Sequence, residues 1–216
     1  MTGAWERSEA RYQLATAIDT LGLAPPPGAP DLLLDLCELL AAWAGRMNLT
    51  AHRTPRAILD RLVLDATALA SVLPDAATLA DLGAGPGIPG LPLAILFPQR
   101  RLTLVEARER RHHFQREAVR RLGLGNVRPV LGRSDELDAE EHEGVLAQAM
   151  ARPRKALPLL LPWAAPGAWL ALPGGATAPD PGSPPGVAGA CVRRYHVPIT
   201  GVERTVWIGR RCADTT

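Results

Sequence analysis

No two cysteines stand close together in this sequence. Cys37, Cys191 and Cys212 are an odd number with no C-x-x-C pair, which excludes a disulfide framework and a zinc ribbon and suits a reducing compartment. The five histidines show no metal-ligand spacing, so no metal site is expected. Long apolar runs are missing too: Leu157 to Leu161 is broken by Pro158 and bounded by Pro162, far short of a membrane span. The N-terminus carries charges where a signal peptide would have its apolar core, and a cytoplasmic protein without membrane association is expected. There is no internal repeat, and Lys155 is the one lysine, so arginine supplies almost all the positive charge. At 47% hydrophobic and 21% charged residues, the composition is not that of a disordered chain.

What is present suits one compact body with an appendage, since 216 residues would cramp two full domains. In the first third, Leu14, Ile18 and Leu21 recur at helical spacing before Gly22, and the run Pro25 to Pro30 reads as a linker. Leu33, Leu36, Leu40 and Trp43 then mark one helical stripe from Asp31 to about Met47, and Thr54-Pro55 reads as an N-cap and first-turn proline. From Thr78 the pattern changes. Strands are expected at Thr78 to Leu82, Leu102 to Val105, Val127 to Leu131, Gly144 to Ala149 and Trp169 to Leu172. Helices are expected at Leu91 to Leu96, Arg108 to Leu122 (closed by Gly123) and Pro153 to Trp163. Such alternation implies a mostly parallel sheet with right-handed crossovers and helices on both faces. The Gly- and Pro-rich stretch Gly174 to Gly189 reads as a long connection before an antiparallel pair at Cys191 to Val197 and Thr205 to Ile208.

The chemistry concentrates at Asp81-Leu82-Gly83-Ala84-Gly85-Pro86-Gly87-Ile88-Pro89-Gly90, which follows a strand and opens a helix. Glycines permit a tight turn and close approach of a ligand, and free amides at the helix start would favour a negative group. Gly85-x-Gly87-x-x-Gly90 matches the dinucleotide fingerprint, with Glu106 about twenty residues on at the end of the next strand. A carboxylate there accepts hydrogen bonds from the ribose diol of any adenosine cofactor, so the spacing alone leaves S-adenosylmethionine and NAD open. Charge adds a second hint. Ten arginines lie between Arg100 and Arg133 against Glu106, Glu109 and Glu117, which reads as a solvated helix face or as a surface for an anionic polymer. Trp43 and Trp163 read as core residues rather than base-stacking platforms.

Asn48-Leu49-Thr50, Asp65, the loop Asp81 to Gly90, and Thr103-Leu104-Val105-Glu106 with Arg110, Arg111 and Phe114 occur in that order. Together they resemble the bacterial small-subunit ribosomal RNA guanine-N7 methyltransferase family, also called methyltransferase G or glucose-inhibited division protein B. The likeness runs from about Trp43 to Pro173. It implies a class I methyltransferase-type, Rossmann-like α/β fold, with residues 1–74 as a helical segment packing on a cofactor-binding domain at 75–216. It further implies S-adenosylmethionine as cofactor and 16S ribosomal RNA or the small ribosomal subunit as partner; the sequence does not identify the oligomeric state, and a monomer is expected. The cofactor-binding residues it implies are Asp81, Gly83, Gly85, Gly87 and Ile88 of the loop, Glu106 at the ribose, Ser134 and Asp135 at the adenine, and Gln148. Ser134 and Asp135 also read as a helix N-cap.

Three positions depart from the family pattern. Arg61-Leu62-Val63-Leu64-Asp65 has Leu62 where the family commonly has His, Ala147-Gln148-Ala149-Met150 has Gln148 for Arg, and Leu172-Pro173-Gly174 has Pro173 for Lys. The lost polar groups fall on the substrate side. No catalytic base is expected, because guanine N7 offers a lone pair and no proton and needs alignment above all. The departures leave open methylation of another RNA position or a small molecule, or a ribosome-associated cofactor-binding protein with weak catalysis.

Overall fold

The computed structural model describes residues 5–213. Four helical pieces come first: α1 (Arg7–Thr20), α2 (Ala29–Ala44), α3 (Pro55–Ile58) and α4 (Leu64–Ala70), the last two joined by a π-helical turn at Leu59–Val63. The rest is β1 (Thr78–Leu82), α5 (Gly90–Leu96), β2 (Arg101–Glu106), α6 (Glu109–Leu122), β3 (Val127–Leu131), β4 (His142–Leu146), α7 (Pro153–Leu160) with a 3-10 turn to Trp163, β5 (Ala164–Gly174), β6 (Val187–His196) and β7 (Glu203–Arg211).

The seven strands form one sheet in the order β3-β2-β1-β4-β5-β7-β6. Pairings among β1 to β5 are parallel, and β7 runs antiparallel to both β5 and β6. Because side chains alternate across a strand, the sheet feeds two cores. Leu79, Leu102, Leu104, Trp169 and Ala171 join the helices α1 to α6 on one face. Ala80, Leu82, Val105, Leu170 and Leu172 meet Leu157, Leu160 and Trp163 on the other. Each fully buried leucine stabilises the fold by about 1.5–3 kcal/mol. The second face is thinly covered: α7 lies there, while the crossing from β3 to β4 (132–141) contains no helix and packs Leu137 against the core.

Local signals place most boundaries. Thr54 Oγ1 accepts from Ala57 N at 3.2 Å with Pro55 in the first turn, and Gly123 closes α6 in the left-handed region at φ 65°. Four expectations need correction. Ala29 and Pro30 are the first turn of α2 rather than linker, since proline suits a position whose amide has no partner. β4 spans His142–Leu146, not Gly144 to Ala149, because its pairing with β1 ends at Asp81↔Leu146 and Ala149 turns away at φ 54°. β5 is longer than expected, as β7 pairs with it out to Gly174. No helix follows Ser134 and Asp135, so their N-cap reading falls.

Among the described residues, no helix is long and apolar enough to cross a membrane, and no group of three or more His, Cys, Asp or Glu is placed to hold a metal. Cys37, Cys191 and Cys212 are free thiols. Trp163 is buried, and Trp43 packs on Phe114 with ring centroids 5.6 Å apart.

Candidate functional site

Strand order reverses between β1 and β4, and in open α/β sheets that switch point opens a crevice outside the carboxyl ends of the strands. A cavity of about 740 Å³ lies there. Its wall on one side is the loop after β1. Gly83 has φ +67°, and a Cβ on it would stand 2.6 Å from Met150 Cγ, so no larger residue fits. At Gly90 a Cβ would meet Leu104 Cδ2 at 2.3 Å and Asp81 Oδ2 at 2.9 Å. That crowding lets Gly90 N donate to Asp81 Oδ2 at 3.0 Å, which ties the loop's far end back to its start.

The loop's middle is clamped from two elements. Gly85 N donates to Glu106 Oε2 at 2.8 Å, and Gln115 Nε2 on α6 donates to Gly85 O at 2.8 Å. Glu106 Oε1 accepts from Arg108 N at 2.9 Å, and Arg111 lies 3.9 Å from Oε2. The carboxylate is therefore aimed by backbone donors, and rotation would break both bonds. Gln115 escaped the sequence reading. Its only sequence signal was its place beside the Phe114, Ala118 and Leu122 stripe, where the structure buries it fully.

The amides expected to be open at the helix start are taken. Ala84, Gly85, Gly87, Ile88, Gly90 and Leu91 all donate within the protein. Asp81 is the reason at Gly90: a buried carboxylate competes for the amide an outside anion would need. Its Oδ1 has no partner among the described residues, and burial pushes its pKa up to about 7, opposed by the Gly90 amide and assisted by nearby Glu106.

Of the residues singled out from sequence, Gly83, Gly85, Ile88, Glu106, Ser134, Asp135 and Gln148 line this one cavity. Asp81 and Gly87 are not in the lining; they brace the loop from behind. Ser134 is held through its carbonyl, which accepts from Trp163 Nε1 at 3.0 Å. Asp135 pairs with Arg133 at 2.8 Å, and that hydrogen bond holds its carboxyl below the usual range. Arg61, Arg108, Arg111 and Arg133 also line the cavity. By contrast, Arg120 and Arg121 on the same helix as Arg111 are both bound to Glu117.

The π-helical turn brings Arg61 and Leu62 to the rim, and Asp65 follows one turn later. Extra residues inserted in a helix re-aim side chains and frequently mark functional sites. Asp65 accepts from Arg204 Nε at 2.8 Å and from the Tyr195 hydroxyl at 3.4 Å. Burial pushes the Tyr195 hydroxyl pKa up, so it stays protonated. Neither Arg204 nor Tyr195 had any local sequence signal, since both lie on the terminal strand pair.

A match to the family described as rRNA small subunit methyltransferase G covers residues 30–180, more than half of the chain. The protein named Ribosomal RNA small subunit methyltransferase G from Stenotrophomonas maltophilia (strain K279a) is 46% identical over 129 residues, 59% of this chain. That alignment spans only 58% of the relative's length. The like-named protein of Chromohalobacter salexigens is 35% identical over 201 residues, 92% of this chain and 96% of that one. In three dimensions the chain is similar to an O-methyltransferase from Bacillus cereus solved in complex with SAH, with TM-score 0.57 and 16% identity. That likeness covers 95% of this chain and 100% of the other, and it shows a shared fold.

Proposed function

The chain belongs to the rRNA small subunit methyltransferase G family, and from that premise we propose that it moves a methyl group from S-adenosylmethionine to N7 of a guanine in 16S ribosomal RNA. The observation that carries this reading is one cavity at the strand switch point, walled by the glycine loop on one side and by a carboxylate aimed by two backbone amides on the other. Its volume, about 740 Å³, lies within the range of cofactor clefts.

The residues present fit an adenosine-type methyl donor. Glu106 would accept from the ribose hydroxyls with the lone pairs that Gly85 and Arg108 leave open. Gly83, Gly85 and Ile88 would form the floor, with Ser134 and Asp135 at the adenine end and Gln148 at the opposite mouth. Asp81 and Gly87 would act behind the loop, holding its shape. Bound there, the donor supplies an electrophilic methyl on a sulfonium.

The protein's part is then alignment and exclusion of water, because N7 attacks with an existing lone pair and no side chain need take a proton. The described part of residues 1–74 serves as a helical cover for that of the cofactor-binding body at 75–216, and it contributes Leu49, Thr50, Arg61, Leu62 and Asp65 to the cavity. The partner is 16S ribosomal RNA or the small ribosomal subunit in the cytoplasm, met by a monomer.

Nucleoside mass spectrometry of 16S ribosomal RNA from cells with and without the gene tests the reading. One N7-methylguanine should vanish with the gene and return with it; an unchanged pattern would sink the proposal. Calorimetric titration of the purified protein should show binding of S-adenosylmethionine and none of NAD.

A further inference from the structure

A second cavity, about 420 Å³, opens beside the first and shares Asp65, Gln148, Ala149 and Ala151 with it. Its inner wall is Leu172, Pro173 and Gly174 at the end of β5. Its outer wall is the segment after them, which can fold back because Gly174 has no side chain: a Cβ there would meet Pro179 at 2.7 Å. These surfaces are apolar or neutral. Arg204 is the one cation among the described residues that line this cavity.

Arg204 is not simply an exposed arginine. Its Nε is spent on Asp65 Oδ2 at 2.8 Å, Asp65 is itself held by Tyr195, and the Arg204 side chain remains 28% exposed. A guanidinium pinned through Nε presents its two Nη groups as a fork, with no partner for either among the described residues. Such a fork matches two oxygens of a phosphate, or the O6/N7 edge of guanine. The second match is ruled out for a base methylated at N7, because the hydrogen bond would consume the lone pair that must attack. Gln148 and Pro173, the other positions on this rim where a cation could stand, are neutral.

We propose that the second cavity is the acceptor subsite and that Arg204, braced by Asp65, grips a backbone phosphate beside the target nucleotide. The assignment rests on the RNA-methylating reading above and deepens it. Arg204 is a positioning residue: it sets where the acceptor sits relative to the donor cavity and does not touch the reacting atoms.

The test uses the full chain as wild type, Arg204→Gln and Arg204→Lys, with Arg101→Gln as a control that removes an exposed arginine at the opposite, amino-terminal end of β2. The probe is 16S ribosomal RNA from cells lacking the gene. For Arg204→Gln, KM for this RNA should rise at least tenfold and kcat fall less than threefold, with S-adenosylmethionine affinity within twofold of wild type. Arg204→Lys, which keeps a charge near Asp65, should recover part of the KM. The slope of log affinity against log salt should fall by about 0.7–0.9 for Arg204→Gln, the amount one phosphate contact contributes. Arg101→Gln should change none of these.

A wild-type KM and salt slope in Arg204→Gln would overturn the assignment while leaving the RNA-methylating reading intact. So would an equal loss of donor and RNA binding with a lowered melting temperature in both Arg204 variants, which marks a structural strut. Wild-type protein that neither binds nor methylates the RNA would instead overturn the reading itself.

Discussion

The donor side of the crevice and its acceptor side are built in opposite ways. On the donor side, Asp81, Gly85, Gly90, Glu106 and Gln115 come from one β-α-β-α stretch and are tied by hydrogen bonds of 2.8–3.0 Å. On the acceptor side, Asp65, Gln148, Pro173 and Arg204 come from four separate elements, and the bond that joins Asp65 to Arg204 spans 139 positions. A wall made from neighbouring residues is stiff before any ligand arrives. A wall assembled from distant ones depends on the packing of the whole sheet, and there this chain carries neutral residues at 148 and 173 and a single pinned cation.

The largest expected effect breaks the stiff side. Gly90→Ala places a methyl 2.3 Å from Leu104 Cδ2 and should lower stability by about 3 kcal/mol through overpacking. Thermal melting would read that loss, and calorimetry should find donor binding gone. A variant that melts and binds like wild type would mean the loop is not clamped as described.

Next comes Glu106→Gln. Replacing a charged acceptor by an amide should weaken S-adenosylmethionine binding about 10- to 100-fold, as loss of charge-assisted hydrogen bonds of about 1.5–3 kcal/mol implies. Set against Arg204→Gln, which should spare the donor, this pair separates the two sides. If both variants lost donor affinity alike, the division would not hold.

A subtler effect concerns pH. Asp81 has its folded pKa raised from 3.8 to about 7 by burial, so the folded state holds its proton more tightly than the unfolded one. Its contribution to stability is present in full below pH 4 and is lost as pH rises through about 7. Asp81→Asn keeps an acceptor for Gly90 and removes the titration, so unfolding free energies measured from pH 4 to 8 should decline less in the variant. An unchanged pH dependence would place the titrating group elsewhere. Smallest is Gly85→Ala: nothing lies within 4 Å of the added methyl, and the left-handed φ of +58° alone should cost about 1 kcal/mol.

How much of this was legible beforehand follows the same division. β1, β3, α6 with its Gly123 cap, and the Thr54 cap stood where local periodicity and capping chemistry put them. β4 was misplaced at both ends because pairing sets a strand's limits, and its register runs out at Asp81↔Leu146 with β1 and at Leu146↔Ala171 with β5. The open-amide expectation failed at Gly90 because nothing in the string of letters says that Asp81 turns inward to take that amide.

By itself, the sequence determined the parallel β-α-β frame, the glycine turn and a carboxylate one strand over, because all three follow from residue spacing along a short, rigid unit. Only the tertiary structure decided that Arg204 meets Asp65, that Gln115 clamps Gly85, and that two cavities share a wall. Those contacts depend on where the sheet carries its strand ends and how the helices pack against it, and no local pattern encodes the distance between a helix and a strand or loop far from it in sequence.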